Sequence, residues 1–490
     1  MSVKDRIFKD ASFYSVSAYI SVIFGTLKGF FLRAILGPAT YGLFSTYQVI
    51  LSYAQNSHLG LLSAIEREIP YFIGKREIEK VENIKNTSFT VIHSFLLLLI
   101  TIIFLLTFIL VKKSSIFIKG FKIVLLIIFF QQVYFYYICL LRSEKKFNIL
   151  SKTTIIIAIF SAVLSVFLGL KYKLTGVLVS LIISYLAAIV YINIKSSYKI
   201  KLKIDRGLLS QLFRIGFVLL IIGLEYMTLI NIDKITIIIF LGKTSLGYYS
   251  IAFMISSLIM YFPNAIAGVM FPNFLAKYGE NDNIQDLKRY MVQPTLIFAF
   301  LMPILIGCTY IVIEPLIKLT LNKYIPGIAS AKILILGSFF LAVAYMAGHL
   351  LVVLKKFNKY MEIQLYVVII TILLNIFFVK LGWGIEGVAY ATSIGFFLYA
   401  TSIIYYAFKQ YSNKIREFLK YIIEIYIPFG YMLILLFITE LLSKAANGFN
   451  KWITTSGILI LFSIFSIPLI LRANKKTGII NLFLNTLSRK

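Results

Sequence analysis

Apolar residues run in blocks of roughly 20 from end to end of the chain, parted by short polar or glycine-bearing stretches. A helix of that length crosses a hydrocarbon core of ~30 Å. The short alternating segments of a membrane β-barrel are absent. The pattern predicts fourteen helical spans, at 11–35, 41–65, 87–111, 120–141, 153–170, 174–194, 211–240, 245–271, 293–313, 330–354, 361–381, 384–408, 419–442 and 450–472. This is an all-α polytopic membrane protein with about 14 transmembrane helices. The leader MSVKDRIFKD has no small-residue cleavage site after it, so the first span is expected to persist rather than be removed as a signal peptide.

The polar breaks repeat. LGPATYGLFS at 36–45 and LGKTSLGYYS at 241–250 place Leu36 and Leu241, Gly37 and Gly242, Gly42 and Gly247, and Ser45 and Ser250 at one constant separation. IPYFIGK (69–75) parallels FPNFLAK (271–277), KKFN recurs at 145–148 and 355–358, and LTGVLVS (174–180) matches IEGVAYA (385–391) at its Gly-Val pair. Four matches in chain order point to a duplicated unit of six helices. Six is even, so both copies enter from the same side, as parallel repeats about an axis along the membrane normal. The organisation expected is a first lobe at 1–194, a cytoplasmic linker at 195–210, a second lobe at 211–408, and two further spans with a tail at 409–490.

Composition agrees: 60% of residues are hydrophobic, 14% are charged and mean hydropathy is +0.89. Most of the 49 Lys and Arg fall on inner loops and tails when both termini are cytoplasmic. The outer hairpin KKSSIFIKGFK at 112–122 runs against that rule. The net charge of +29 is spread over short loops, which suits anionic lipid headgroups and not a nucleic acid. Cys139 and Cys308 both lie in apolar runs and read as buried thiols, with no disulfide or metal site.

Three stretches carry a family resemblance: LGPATYGLFS, EREIPYFIGKREIEKVE (66–82) and NIDKITIIIFLGKTSLGYYSIA (231–252). In this order, with fourteen spans, the chain resembles the polysaccharide-transporter family, the Wzx-type oligosaccharide flippases of the superfamily that also holds MATE exporters and lipid II flippases. The resemblance implies a V-shaped, MATE-like transporter that moves a polyprenyl-pyrophosphate-linked glycan between leaflets by alternating access. It also implies residence in the cytoplasmic membrane. Membrane lipids would be its surroundings, and glycan polymerase and chain-length proteins the partners it would meet.

Charges inside spans are the sharpest candidates, because lipid burial is costly and they normally face a cavity or a partner. Ser17, Ser21 and Lys28 share one face of the first span, and Arg33 lies about 140° round from Lys28, at the outer end, where it could equally snorkel. The seventh span holds Glu225, Asp233 and Lys234, with Asp233 at the repeat position of Lys28. Glu225, nearer mid-membrane, and Asp233 are the ion-coupling candidates, for H+ or Na+; a static Asp233–Lys234 pair and a hydrogen-bonded structural acid stand as alternatives. Lys28, Arg33, Lys234 and Arg67 are the candidates for neutralising the pyrophosphate, Arg67 through its forked guanidinium at the inner face. Gln48, Ser52 and Gln55, continued by Asn56 and His58, form a polar stripe in the second span that suits a sugar-facing wall or helix–helix glue. Ser338, Tyr345 and His349 echo it in the tenth span; His349 and His93 read as structural. The loop beginning Glu66-Arg67-Glu68 reads as a helix lying at the headgroups or as a solvated loop.

No P-loop, HExxH or nucleophile elbow occurs, and no loop is long enough for a soluble catalytic domain. A non-enzymatic transporter without cofactor or metal is expected. The alternatives are a MATE-like ion-coupled exporter of drugs or metabolites, and a membrane-embedded glycan polymerase or ligase, which would need a large outer loop.

Overall fold

The structure, a computed structural model, describes residues 3–109, 116–281, 284–445 and 451–478. Among the described residues all regular structure is helical: fourteen α-helices and two short 3₁₀ turns. Twelve helices are long and apolar enough to cross a membrane. Two of these are double. Helix α1 (Val3–Ala54) breaks its helical path at Gly37 (φ 69°, ψ 168°), and α5 (Phe147–Ser196) breaks at Lys173 (φ 51°, ψ −134°). At Gly37 the missing Cβ permits the positive φ, and Pro38 opens the next helix with its φ already set. Counting both halves of α1 and α5 gives fourteen spans in a multi-pass membrane protein.

Two expected spans are not continuous helices. The second ends at Ala54, makes a 3₁₀ turn over Gln55–His58, passes through left-handed Leu59 (φ 53°) and Gly60 (φ 83°), and resumes as α2 (Leu61–Gly74). The seventh divides into α6 (Arg206–Leu229) and α7 (Ile232–Phe240), with Asn231 in a non-helical conformation between them. Window hydropathy averages over such breaks; polar side chains and a glycine create them.

The chain forms two compact units, Met1–Met227 and Thr228–Lys490. The division thus falls inside the expected seventh span and not at 195–210. That stretch is no free linker. After left-handed Ser197 ends α5, the backbone N–H groups of Lys201, Lys203 and Asp205 donate to Asn86 (2.7 Å), Thr90 (3.2 Å) and Thr87 (3.1 Å) of α3 (Ile78–Ile109). Every second residue of an extended chain points the same way, so three side chains on one helix face hold it. Asp205 then caps α6 by accepting from Leu208 N–H at 3.0 Å.

Within the first unit the two halves of α5 pack along α1, while α2, α3 and α4 (Ile116–Ser143) form a second layer. Helix α2 buries Leu61, Ala64, Ile65, Ile69 and Phe72 on one stripe with Glu68, so it belongs to the core of the unit and does not lie free at the headgroups. Gly60 meets Gly216 of α6 at backbone distance: a Cβ on either would stand 2.4 or 2.2 Å from the other's carbonyl oxygen.

In the second unit α10 (Ile328–Val353) is the central helix, packed by α8 (Gly242–Asn281), α9 (Ile284–Thr320) and α12 (Gly384–Lys409). Helix α7 packs on α11 (Phe357–Lys380) and α12. The last two helices, α13 (Ile415–Ala445) and α14 (Lys451–Thr477), pack on α9, where Phe462 fills the space left by Gly307.

Three of the four repeated stretches place a residue of positive φ at the corresponding position in each unit. Gly37 and Gly242 have φ of 69° and 82°, Lys145 and Lys355 of 57° and 55°, and Lys173 and Gly384 of 51° and 56°. In both KKFN turns the second lysine donates its N–H five residues back, Lys146 to Leu141 and Lys356 to Leu351, closing the preceding helix in the same way. The fourth pair differs: 69–75 ends a helix, with Arg76 left-handed beyond it, whereas 271–277 lies inside α8. Residues 112–115 of the basic hairpin, expected on the outer side, lie outside the described residues.

Candidate functional site

A cavity of about 170 Å³ lies within the first unit between α1 and the two halves of α5. Ser21, Gly25 and Lys28 line it from α1 at helical spacing, Ser161 from the first half of α5, and Ser184 and Tyr185 from the second. Lys28 Nζ reaches Ser161 Oγ at 3.4 Å and makes no ion pair among the described residues. Ser184 has spent its proton on the Ser180 carbonyl at 2.6 Å. Ser17, on the same stripe of α1, is fully buried and lies outside the cavity lining.

Arg33 does not snorkel. The residue is 2% exposed, and its guanidinium lies 4.3 Å from the centre of the Tyr41 ring and donates to the Gly29 carbonyl at 2.8 Å. It braces the two arms of α1 across the Gly37 turn, since Gly29 and Tyr41 stand on opposite sides of it, and offers no open face to a substrate. Arg67 is the opposite case: its side chain is 70% exposed on α2, and its one ion pair among the described residues, with Glu68, is long at 3.8 Å.

The polar stripe of the second span is mostly the machinery of its own break. Gln132, from α4, places Nε2 2.7 Å from the Ala54 carbonyl, 2.8 Å from the Gln55 carbonyl and 2.8 Å from Ser57 Oγ. The 3₁₀ turn frees those carbonyls, and within a membrane they need internal partners. Asn56 Nδ2 donates to Met227 Sδ at 3.5 Å, and His58 Nδ1 accepts from Gly60 N–H at 3.0 Å. Ser52 Oγ bonds to its own helix at Val49. Gln48 alone of the stripe is exposed. Sequence reasoning missed Gln132; the Gln131-Gln132 pair inside an apolar span was the available signal.

In the second unit Lys234 and Asp233 serve the break in the seventh span. Lys234 Nζ donates to the Ile230 carbonyl (2.7 Å) and to Asn231 Oδ1 (3.0 Å), and lies 3.7 Å from Asp233 Oδ1. Asp233 is buried and accepts from Lys234 N–H at 2.7 Å and from Tyr249 OH at 2.9 Å. Glu225 is set apart. On α6 it points away from the face on which Gly216, Gly223 and Met227 meet the second-span break, and its Oε2 has no hydrogen-bond partner among the described residues. Ser338 of the tenth span bonds Ser256 at 2.6 Å, while Gln364 and Asn375 on α11, which sequence reasoning did not single out, are fully buried with amides that have no partner among the described residues.

At the KKFN turn between α4 and α5 an ionic cluster forms around Glu144. Lys85 and Lys146 reach its two oxygens at 2.7 and 2.6 Å, and Tyr198 OH donates to it at 2.8 Å. Burial opposes its charge, yet the hydrogen bonds from Lys146 and Lys85 outweigh burial and hold the carboxyl below its ordinary range. The cluster ties the KKFN turn to α3 and to the extended segment after α5.

Comparisons with known proteins follow the same architecture. A family model described as "Polysaccharide biosynthesis protein" matches residues 31–326, more than half of the chain and parts of both units. No curated protein matches the chain in sequence. Among solved structures, the lipid II flippase MurJ in an inward closed conformation is similar at TM-score 0.66 and 17% identity, covering 93% of this chain and 99% of that one. An inward-facing multidrug resistance MATE transporter of the MOP superfamily is similar at TM-score 0.64 and 16% identity, covering 80% and 94%. A Vibrio cholerae MATE transporter is similar at TM-score 0.60 and 14% identity, covering 83% and 96%. At these identities the likeness is one of fold.

Proposed function

The chain belongs to the polysaccharide biosynthesis protein family, and from that premise we propose that it flips polyprenyl-pyrophosphate-linked oligosaccharide or polysaccharide repeat units across the cytoplasmic membrane. Both termini would be cytoplasmic, and transport would proceed by alternating access. The observation that carries this reading is the family match over 31–326; the fold likeness fits it, since one of the similar structures is a lipid II flippase. MATE exporters share the fold equally, so the fold alone does not select the substrate.

Arg67 would make the first contact with the diphosphate, because it is exposed on α2 and only weakly paired. Gln48 would face sugar. Lys234 and Arg33 act by holding backbone turns, at Asn231 and Gly37. Coupling to a proton or sodium gradient would fall to Glu225, whose free Oε2 leaves it able to gain or lose a cation, ahead of Asp233, already held by Tyr249 and Lys234. The experiment is complementation of a host lacking its own flippase for one lipid-linked repeat unit. Wild-type chain should restore surface polysaccharide and clear lipid-linked units from the inner leaflet, while Glu225→Gln should be made normally and fail. Persistent accumulation with well-expressed wild type, across hosts of differing glycan, would refute the reading.

A further inference from the structure

The cavity around Lys28 is chemically one-sided. It holds an ammonium group at helical spacing from Ser21 and 3.4 Å from Ser161, with no carboxylate paired to that ammonium among the described residues. A cation within a span is costly to leave without a counter-charge. Three other lysines near or within spans meet carboxylates: Lys85 meets Glu144, Lys332 meets Glu314 and Lys234 meets Asp233. Lys28 meets none among the described residues. The hydroxyls beside it complete a donor set. Ser21 makes no hydrogen bond among the described residues, and Ser161, which accepts from Lys28, donates only a long 3.4 Å bond to the Ala158 carbonyl. Both protons are therefore available to an acceptor in the cavity.

Size narrows the class of ligand. A cavity of ~150 Å³ takes a benzene, and one water occupies ~30 Å³ of liquid volume. The Lys28 cavity, at about 170 Å³, fits a small ion with a few waters. We propose that this cavity is a binding site for a small inorganic anion such as chloride, held by the Lys28 ammonium and the Ser21 and Ser161 hydroxyls. The anion supplies the counter-charge that the chain omits and ties α1 to both halves of α5. The proposal goes beyond the flippase reading and does not depend on it, because binding is read on the resting protein without any lipid-linked substrate.

The test uses the full chain in nanodiscs of zwitterionic lipid, with chloride replacing gluconate at constant ionic strength. A ligand that binds only the folded state raises the unfolding midpoint as its concentration passes the dissociation constant. The midpoint should rise saturably with chloride, keep that response in Lys28→Arg, and lose it in Lys28→Gln. It should also be lost in Gly25→Leu: Gly25 shares the face of Ser21 and Lys28, and a Cβ there meets nothing within 4 Å, so the new side chain fills the cavity without touching the charge. Bromide diffraction on crystals of the wild-type protein gives a check that needs no variant, with an anomalous peak expected beside Lys28 Nζ. A midpoint indifferent to chloride, an undiminished response in Lys28→Gln, or no bromide at Lys28 would overturn the proposal. A response to soluble pyrophosphate through Lys28, with none to chloride, would also overturn it and assign the lysine to the substrate's diphosphate.

Discussion

Replacing Gln132 by leucine removes the amide that holds the broken second span together. Nε2 has two protons and three acceptors within 2.8 Å, so the side chain serves the Ala54 and Gln55 carbonyls and shares with Ser57. Leucine has similar bulk and leaves two backbone carbonyls without that donor. Each buried acceptor so stranded costs about 1–3 kcal/mol. Side-chain hydrogen bonds between membrane helices measure lower, at roughly 0.6 and up to ~1.7 kcal/mol. Gln132 Oε1 is itself buried without a partner, so its removal returns part of the cost. Two such contacts total roughly 1–3 kcal/mol, and the returned cost brings the net destabilisation to about 1–2 kcal/mol. Reversible unfolding of the purified protein in mixed micelles measures it, with Ser52→Ala as the control, because that hydroxyl bonds only to its own helix at Val49. If Gln132→Leu unfolds with the same free energy as Ser52→Ala, the clamp is not what supports the break.

Gly216→Ala should cost about 1–3 kcal/mol, since the added methyl would stand 2.2 Å from the Gly60 carbonyl and rigid backbone must move. Gly430→Ala, in α13 with nothing within 4 Å of the new Cβ, should instead gain up to ~1 kcal/mol of helix propensity; equal effects in the same unfolding assay would remove the close-contact argument. The folded carboxyl of Glu144 titrates below its ordinary value of 4.5, so its stabilisation is complete above that pH and is lost as pH falls through the lower folded value. Unfolding midpoints between roughly pH 6 and 3 should show this acid-side loss in wild type and a shallower one in Glu144→Gln, and superimposable curves would count against the cluster. Asp233→Leu strips acceptors from buried Tyr249 OH and from Lys234 N–H, about 1–3 kcal/mol each at most, while Asp233→Asn keeps one; the asparagine variant should therefore be the more stable of the two.

Much of the architecture was legible because membrane crossing is a property of local composition. The repeat was legible for a related reason: Gly37 and Gly242 mark left-handed turns, and a turn of that kind restricts which residue stands there. The left-handed lysines of the two KKFN turns carry no such mark, and only their recurrence betrayed them. The breaks were less visible. Gln55, Asn56 and His58 read as a polar stripe on a continuous helix, and only the pairing of Gly60 with Gly216 and the reach of Gln132 show that the helix stops. Those partners are far apart in the chain, and one sequence gives no means of bringing them together. The same holds for Lys28: helical spacing put Ser21 beside it, whereas Ser161 and Ser184 arrive only through the fold of α5. Arg33 stayed open between a substrate contact and the interface, because its position near a span end says nothing of Tyr41 across the Gly37 turn.

The most direct measurement is transbilayer movement of a fluorescent polyprenyl-diphosphate oligosaccharide in proteoliposomes of the purified chain, read by the fraction of label open to a membrane-impermeant quencher. The flippase account predicts that the protected fraction falls with time in vesicles containing the wild-type protein, stays fixed in protein-free vesicles, and stays fixed with Glu225→Gln under an imposed proton or sodium gradient. A protected fraction that does not move with folded wild-type protein under either gradient, while a lipophilic drug cation is carried in the same vesicles, would contradict the account and make the chain an exporter.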